Sequence, residues 1–258
     1  MTPQQEQLAE RLAIARREGR QIEALDDALV PTDAASGYEV NRRMVELLGW
    51  PTLGWKIAGT TDDVRKRLRI DTPIYGRTFR RFGITSPCRL RRAELLDPLI
   101  ECEFFITLGA DLAHRAEPWT YDEVRDAVRT VHAGVEMAEC RFPMGNLPPL
   151  PAILADGAAN GRYIYGDEIT AWREGLADIE VRVFVNGQER RQGSGREVMG
   201  DPLAPLHWLA EALRQRGMGL AAGEMVSTGS CTGMMPLREA RGIDVRFGDS
   251  AMVSIGID

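Results

Sequence analysis

The chain has 258 residues, 44% of them apolar and 27% charged, enough to bury a sizeable core in one large domain or in one domain with a smaller cap. No run approaches the roughly 20 consecutive apolar residues of a membrane span. A formal net charge of −6 argues against nucleic acid as a partner.

The opening residues, Met1 to Glu6, are polar and lack a signal-peptide profile, so a cytoplasmic location is expected. Residues 3–20 read as a helix with Leu8 and Leu12 on one face. Asp33 or Ser36 can cap a second helix running through Val40, Met44, Leu47 and Leu48. The segment Gly54-Trp55-Lys56-Ile57-Ala58 then reads as a strand, with Trp55 and Ile57 on one face and Lys56 on the other. A lone lysine of this kind is ordinarily a surface residue. Asp62 to Leu68 form a third, short helix, and Pro73, Gly76, Gly83 and Pro87 punctuate the exit from it. The basic run Arg77, Arg80, Arg81, Arg89, Arg91, Arg92 reads as solvated loop and strand edges. These features divide the chain into an N-terminal helical or cap region, residues 1–80, and a β-rich body, residues 81–258.

Ile100-Glu101-Cys102-Glu103-Phe104-Phe105-Ile106 is a strand that carries two acids among apolar neighbours. Alternation sets Glu101 and Glu103 side by side on one face. Two like charges, half desolvated, repel each other and favour protonation; a bound divalent cation would remove the conflict. The alternative is an antiparallel strand with one solvated face, where Glu-x-Glu is ordinary. Further on, the capping box Thr120-Tyr121-Asp122-Glu123 opens a helix predicted to bury Val124, Val128 and Val131. The next strand, 134–142, carries Glu136, which the strand–helix–strand order can bring beside the first pair. Three converging carboxylates without clustered His or Cys describe a hard oxygen site for Mg²⁺ or Mn²⁺. Glu139, three residues on, faces away and reads as a salt-bridging residue. Carboxylates outnumbering the cation's charge would repel an anionic substrate, which makes Lys56 a candidate for countering them.

Residues 179–185 form a strand that ends at Asn186-Gly187, a pair suited to a type I′ hairpin turn. Asp201-Pro202 opens a helix with Leu206, Leu209 and Leu213 inward, closed by Gly217. In 223–233, an apolar strand runs into small hydroxyl and glycine residues that either present N–H and hydroxyl groups to a carboxylate or form a tight turn. Strands around 242–247 and 251–257 finish the chain. Strands that do not alternate regularly with helices predict an α+β fold. The four scattered cysteines, Cys88, Cys102, Cys140 and Cys231, read as reduced, packed thiols.

Gly-Trp-Lys-Ile-Ala-Gly-Thr-Thr at 54–61, Ile-Glu-Cys-Glu-Phe-Phe at 100–105, Val-Glu-Met-Ala-Glu-Cys-Arg at 135–141 and Ser-Thr-Gly-Ser-Cys-Thr-Gly at 227–233 are joined by Gly-Asp-Pro-Leu-Ala-Pro-Leu-His-Trp-Leu at 200–209. In this order and approximate spacing, residues 35–257 resemble the 2-oxopent-4-enoate hydratases, a family that includes 4-oxalocrotonate decarboxylases within the fumarylacetoacetase superfamily. The resemblance implies a twisted, mostly antiparallel β-roll, with an N-terminal helical region beside it, and a homo-oligomer. It also implies a Mg²⁺- or Mn²⁺-dependent lyase for a small 2-oxo or 2-hydroxydienoic acid, working through a metal-stabilised enolate. Glu101, Glu103 and Glu136 match the metal ligands, and Lys56 matches the active-site lysine. Tyr75, Gly76, Asn160, Ser230 and Thr232 fall at positions that resemble the substrate pocket.

The chain also departs from that pattern. Ile74 stands where an acid is expected before the aromatic-glycine pair, and Asp156-Gly157-Ala158-Ala159-Asn160 stands where hydratases resemble Asp-Asn-Ala-Ser-Ser. Hydration of a 2-hydroxypenta-2,4-dienoate-like substrate leads, with decarboxylation or tautomerisation of a 2-oxo diacid as the alternative. Acylpyruvate C–C hydrolysis ranks lower, because it needs a lid base and His114, His132 and His207 all lie outside the N-terminal region. A non-catalytic metal-binding homologue is the remaining alternative; Lys56 together with three glutamates favours an enzyme.

Overall fold

Thr2 begins the first helix by accepting a bond from the Gln5 N–H while the Gln5 side chain accepts from the Thr2 N–H. The computed structural model describes residues 1–258, leaving aside the side chains of Arg67 and Leu68. Helix α1 (Pro3–Glu18) ends at Gly19, whose φ of 62° suits a residue without a Cβ. Helix α2 (Ala34–Leu48) starts from Asp33, which caps Ser36, and closes in the same way at Gly49. Leu8, Leu12, Val40 and Met44 from this pair share a cluster with Phe79, Cys140 and Phe142 of the body. The helices are therefore packed on the rest of the chain by apolar burial.

Strand β1 (Thr52–Ala58), helix α3 (Asp62–Leu68, capped by Thr61) and β2 (Ile74–Phe79) follow, then the short β3 (Gly83–Thr85) and β4 (Cys88–Leu90). Next come β5 (Leu99–Leu108), α4 (Tyr121–Asp126), β6 (Val128–Ala138), α5 (Leu150–Ala155) and β7 (Arg162–Glu168). The hairpin β8 (Glu180–Val185) and β9 (Gln188–Ser194) turns at Asn186 and Gly187, with φ of 51° and 77°, consistent with the expected type I′ turn. Helix α6 (Leu203–Arg214), β10 (Met225–Ser227), β11 (Met235–Pro236), β12 (Gly242–Phe247) and β13 (Ala251–Ile257) complete the order.

One expected helix is shorter than its pattern implied. The Thr120–Glu123 capping box is present, but α4 stops at Asp126, and Val128 and Val131 belong to β6. Val128, Thr130 and Val131 are β-branched, so a strand suits their restricted χ1 angles better than a helix does.

The strands form two sheets. An eight-stranded sheet has the order β2-β1-β10-β5-β6-β7-β3, with β11 paired to β5; a five-stranded sheet runs β4-β13-β12-β8-β9. Pairing is mostly antiparallel, the exceptions being β1–β10, β4–β13 and β3–β7. Cys102, Phe104 and Ile106 of β5 pack with Val183, Val245 and Val253 of the second sheet and with Leu206 and Leu209 of α6 in one core. Alternation then sends Glu101, Glu103 and Phe105 to the opposite face of β5. The α+β architecture with curled sheets is the one expected. The boundary expected at residue 80 cuts through this sheet, because β1 and β2 are strands of it. The first two helices end at Leu48, and α3 follows β1.

Candidate metal and substrate centre

The register of two long strands assembles the site. β5 and β6 pair antiparallel with Glu101 opposite Glu136 and Glu103 opposite Gly134. Directly opposed residues in such a pair have Cβ atoms about 4.5–5.5 Å apart, so pairing alone gathers the three acids. One carboxylate oxygen from each lies within 4.8 Å of the others. Gly134 is needed here, because a Cβ at that position would sit 2.6 Å from the Phe105 ring. On the other flank of β5 lies β10, and β1 runs parallel to it with Lys56 opposite Ser227. Lys56 thereby reaches the same face as the glutamates.

Lys56 Nζ is 3.1 Å from Glu136 Oε1 and donates to the Ala158 carbonyl at 3.0 Å. The Tyr163 hydroxyl, from β7, donates to the same Glu136 oxygen at 3.1 Å. Glu103 Oε2 accepts from the Ser227 hydroxyl, and from the Gly229 N–H at 2.9 Å. The cluster is almost dry: Glu136 is 0% exposed, Glu103 1%, Lys56 2% and Glu101 9%.

Such crowding shifts every group in it. Burial, then repulsion from Glu136 and Glu101, raises the Glu103 carboxyl well above the ordinary carboxylate range, against the pull of Lys56 and Ser227. Burial pushes Glu136 up to about 7, opposed first by Lys56. Burial works against the Lys56 ammonium as well, but the attraction of Glu136, Glu101 and Glu103 outweighs it and holds the group protonated. Burial also raises the Tyr163 phenol, which therefore remains a donor.

These residues fit a hard divalent cation. The donors are all carboxylate oxygens, and Glu136 Oε2 is buried without a hydrogen-bond partner among the described residues. Such a cation would satisfy that oxygen and neutralise the mutual repulsion.

The other sequence-predicted residues lie around this cluster in different ways. Gly76 is the register partner of Lys56, and a Cβ on it would overlap the Gly157 carbonyl. The Ser230 hydroxyl is buried without a partner among the described residues, one residue after the amide that reaches Glu103. Thr232 lies further along that loop, half-buried, near Cys102. The Asn160 amide donates to the Arg77 carbonyl and accepts from Arg16 at 3.4 Å, so it supports backbone. The Tyr75 ring stacks on Tyr38 at 4.4 Å within the main core. It lines a cavity of about 580 Å³ together with Ile74, Leu154, Trp208 and Arg216. The structure thus gathers Lys56, Glu101, Glu103 and Glu136 into one cluster and leaves the Tyr75 ring on the other face of β2. Glu139 stays outside, bound to Arg162 at 2.6 Å and to the Leu96 N–H at 2.8 Å.

Tyr163, Ser227 and the Ala158 carbonyl were not picked out by sequence reasoning. Tyr163 carries a readable signal, since Tyr163 and Tyr165 alternate along a strand that pairs with the one holding Glu136. A backbone carbonyl such as that of Ala158 carries none.

With this geometry in place, similarity to known proteins is informative. A family model described as fumarylacetoacetate (FAA) hydrolase C-terminal matches residues 66–257. A 2-keto-4-pentenoate hydratase 2 from Dechloromonas aromatica (strain RCB) is 28% identical over 242 residues, 91% of this chain and 90% of the relative. A 4-oxalocrotonate decarboxylase from Pseudomonas sp. (strain CF600) is 26% identical over 96% of this chain and 94% of its own length. The structure of 4-oxalocrotonate decarboxylase from Pseudomonas putida G7, complexed with magnesium and adipate, matches with a TM-score of 0.90 at 26% identity, covering 100% of this chain and 99% of that one. Family model, relatives and fold agree with the carboxylate cluster: the chain belongs to the fumarylacetoacetate (FAA) hydrolase C-terminal family.

Proposed function

We propose that this chain is a divalent-metal-dependent lyase for a small 2-oxo or 2-hydroxydienoic acid, hydrating a 2-hydroxypenta-2,4-dienoate-like substrate. The observation that carries this reading is the dry cluster in which Lys56 stands 3.1 Å from Glu136, within reach of Glu101 and Glu103. The three glutamates would hold Mg²⁺ or Mn²⁺. When bound, the cation supplies stabilisation for negative charge that develops on the C2 oxygen. Lys56 directs donors at Glu136 and Ala158, and its positive charge beside the carboxylates would help hold an anionic substrate. Tyr163 and Ser227 orient Glu136 and Glu103, so that the carboxylates need not rearrange as charge moves.

Decarboxylation of a related 2-oxo diacid is the second reading. Ile74, Leu154 and Ala158 form an apolar cluster beside the carbonyl that holds Lys56, which gives little help in positioning water. The test is to supply 2-hydroxypenta-2,4-dienoate with Mg²⁺ and follow products by NMR in D₂O. Formation of 4-hydroxy-2-oxopentanoate is expected. Ketonisation alone, alongside release of CO₂ from a 2-oxo diacid, would replace hydration with the second reading. C–C hydrolysis has less support: His114, His132 and His207 bond the carbonyls of Arg214, Gly166 and Trp119. No helix is long and apolar enough to cross a membrane among the described residues. A homo-oligomer rests on the family resemblance, and light scattering after size exclusion tests the assembly.

A further inference from the structure

A buried ion pair beside the cluster plays no part in the chemistry described so far. Arg16 of α1 and Asp156, just past α5, stand 2.8 Å apart with both side chains 0% exposed. Two charges removed from water are costly to hold unless their remaining atoms are also satisfied. Here they nearly all are. Arg16 donates to the Asp156 carbonyl as well as its carboxylate, and to the Asn160 side chain at 3.4 Å. The second Asp156 oxygen accepts from the Arg141 N–H at 2.9 Å.

One guanidinium therefore grips both ends of the loop 156–160. Between those ends Gly157, Ala158 and Ala159 have φ of 88°, 59° and 60°. Alanine is disfavoured in that region, and such backbone persists only where its surroundings over-determine it. The strained stretch points the Ala158 carbonyl at Lys56 Nζ (3.0 Å), and the Ala159 carbonyl accepts from the Glu139 N–H at 2.9 Å. Among the described residues the Ala158 carbonyl is the one that Lys56 bonds, so this loop helps set where its ammonium sits relative to Glu136.

We propose that Arg16 and Asp156 are positioning residues: they clamp the 156–160 loop so that the Ala158 carbonyl fixes the Lys56 ammonium against the carboxylate cluster. This rests on the reading of Lys56 as an active-site residue. A misplaced reacting group can cost on the order of a hundredfold in rate. Arg16→Met is therefore expected to lower kcat/KM by about tenfold to a hundredfold, with Mn²⁺ affinity, read by calorimetry on the metal-free protein, unchanged.

Two further readouts separate positioning from general support. In metal-free Arg16→Met, amide hydrogen exchange should speed up at residues 156–159 and at Glu139, while β5 and β6 keep their protection. In a Lys56→Met background, adding Arg16→Met should cause no further loss, because the group it positions is already absent. Losses that multiply, or unchanged loop exchange, would overturn the proposal. If Arg16→Met does not fold, Arg16→Lys decides by the same measurements, since an ammonium keeps the charge but cannot span both loop ends. Full activity in Lys56→Met alone would refute the role given to Lys56, and the exchange measurement would still decide the clamp.

Discussion

The Glu136 carboxyl is fully buried, and that burial pushes it up to about 7 in spite of Lys56. The folded chain then keeps a proton that the unfolded chain has already released. Between about 4.5 and 7, metal-free protein should therefore lose stability as pH rises. A cation binds the ionised form, so its stabilising effect should grow through the same window. The expected result is a melting temperature raised more by Mg²⁺ above roughly pH 7 than near pH 5. Glu136→Gln should remove most of that shift while the fold survives, and equal shifts at both pH values would contradict the account. Lys56→Met should weaken oxalate binding by about 1.5–3 kcal/mol, on the order of tenfold to a hundredfold, without weakening Mn²⁺. A wild-type oxalate inhibition constant in that variant would remove Lys56 from the substrate site. At this scale the carboxylates were legible because a period of two is written into the sequence itself. Tyr163 and Ala158 were less so, because one reaches Glu136 through strand register and the other acts through a carbonyl.

Among the elements, β5 and β6 do most to build the site, and the sequence announced both. It misjudged where β6 begins, because Val124, Val128 and Val131 fit a helical stripe as well as they fit a helix end followed by a strand. Capping chemistry fixed the start of α4, but nothing as local fixed its end. The contact between β2 and the 156–160 loop was invisible for a related reason: it depends on a missing side chain. Gly76 lies under Gly157, and a methyl group there would overlap the Gly157 carbonyl. Gly76→Ala should then cost about 1–3 kcal/mol by overpacking and lower activity by displacing Ala158. Denaturant melts together with Mn²⁺ titration check this; full stability and full activity would mean that the loop has room to move.

For the molecule as a whole, the helical N-terminal region is better described as a brace than as a cap. Chain termini are commonly dispensable, but removing residues 1–20 here would strip Asp156 of its guanidinium and leave a buried charge. Breaking such a pair typically costs about 3–5 kcal/mol, and urea denaturation of the truncated chain should show at least that loss, because the buried Leu8 and Leu12 go with it. A truncation with unchanged stability would show that Asp156 can be satisfied without α1. Composition changes near residue 80, whereas strand pairing ignores composition and joins β1 to β10.

That last pairing constrains when the site can exist at all. Lys56 and Ser227 are register partners, yet roughly 170 residues of chain lie between them, which ribosomes take on the order of 10–30 s to make. A nascent chain that has exposed Lys56, Glu101, Glu103 and Glu136 still lacks β10, the strand that separates β1 from β5. Until β10 emerges, the lysine has no place beside the acids, and the acids can meet only through the β5–β6 hairpin. Metal capture could come earlier, whereas pairing of the cluster with Lys56 must wait for β10 to be made.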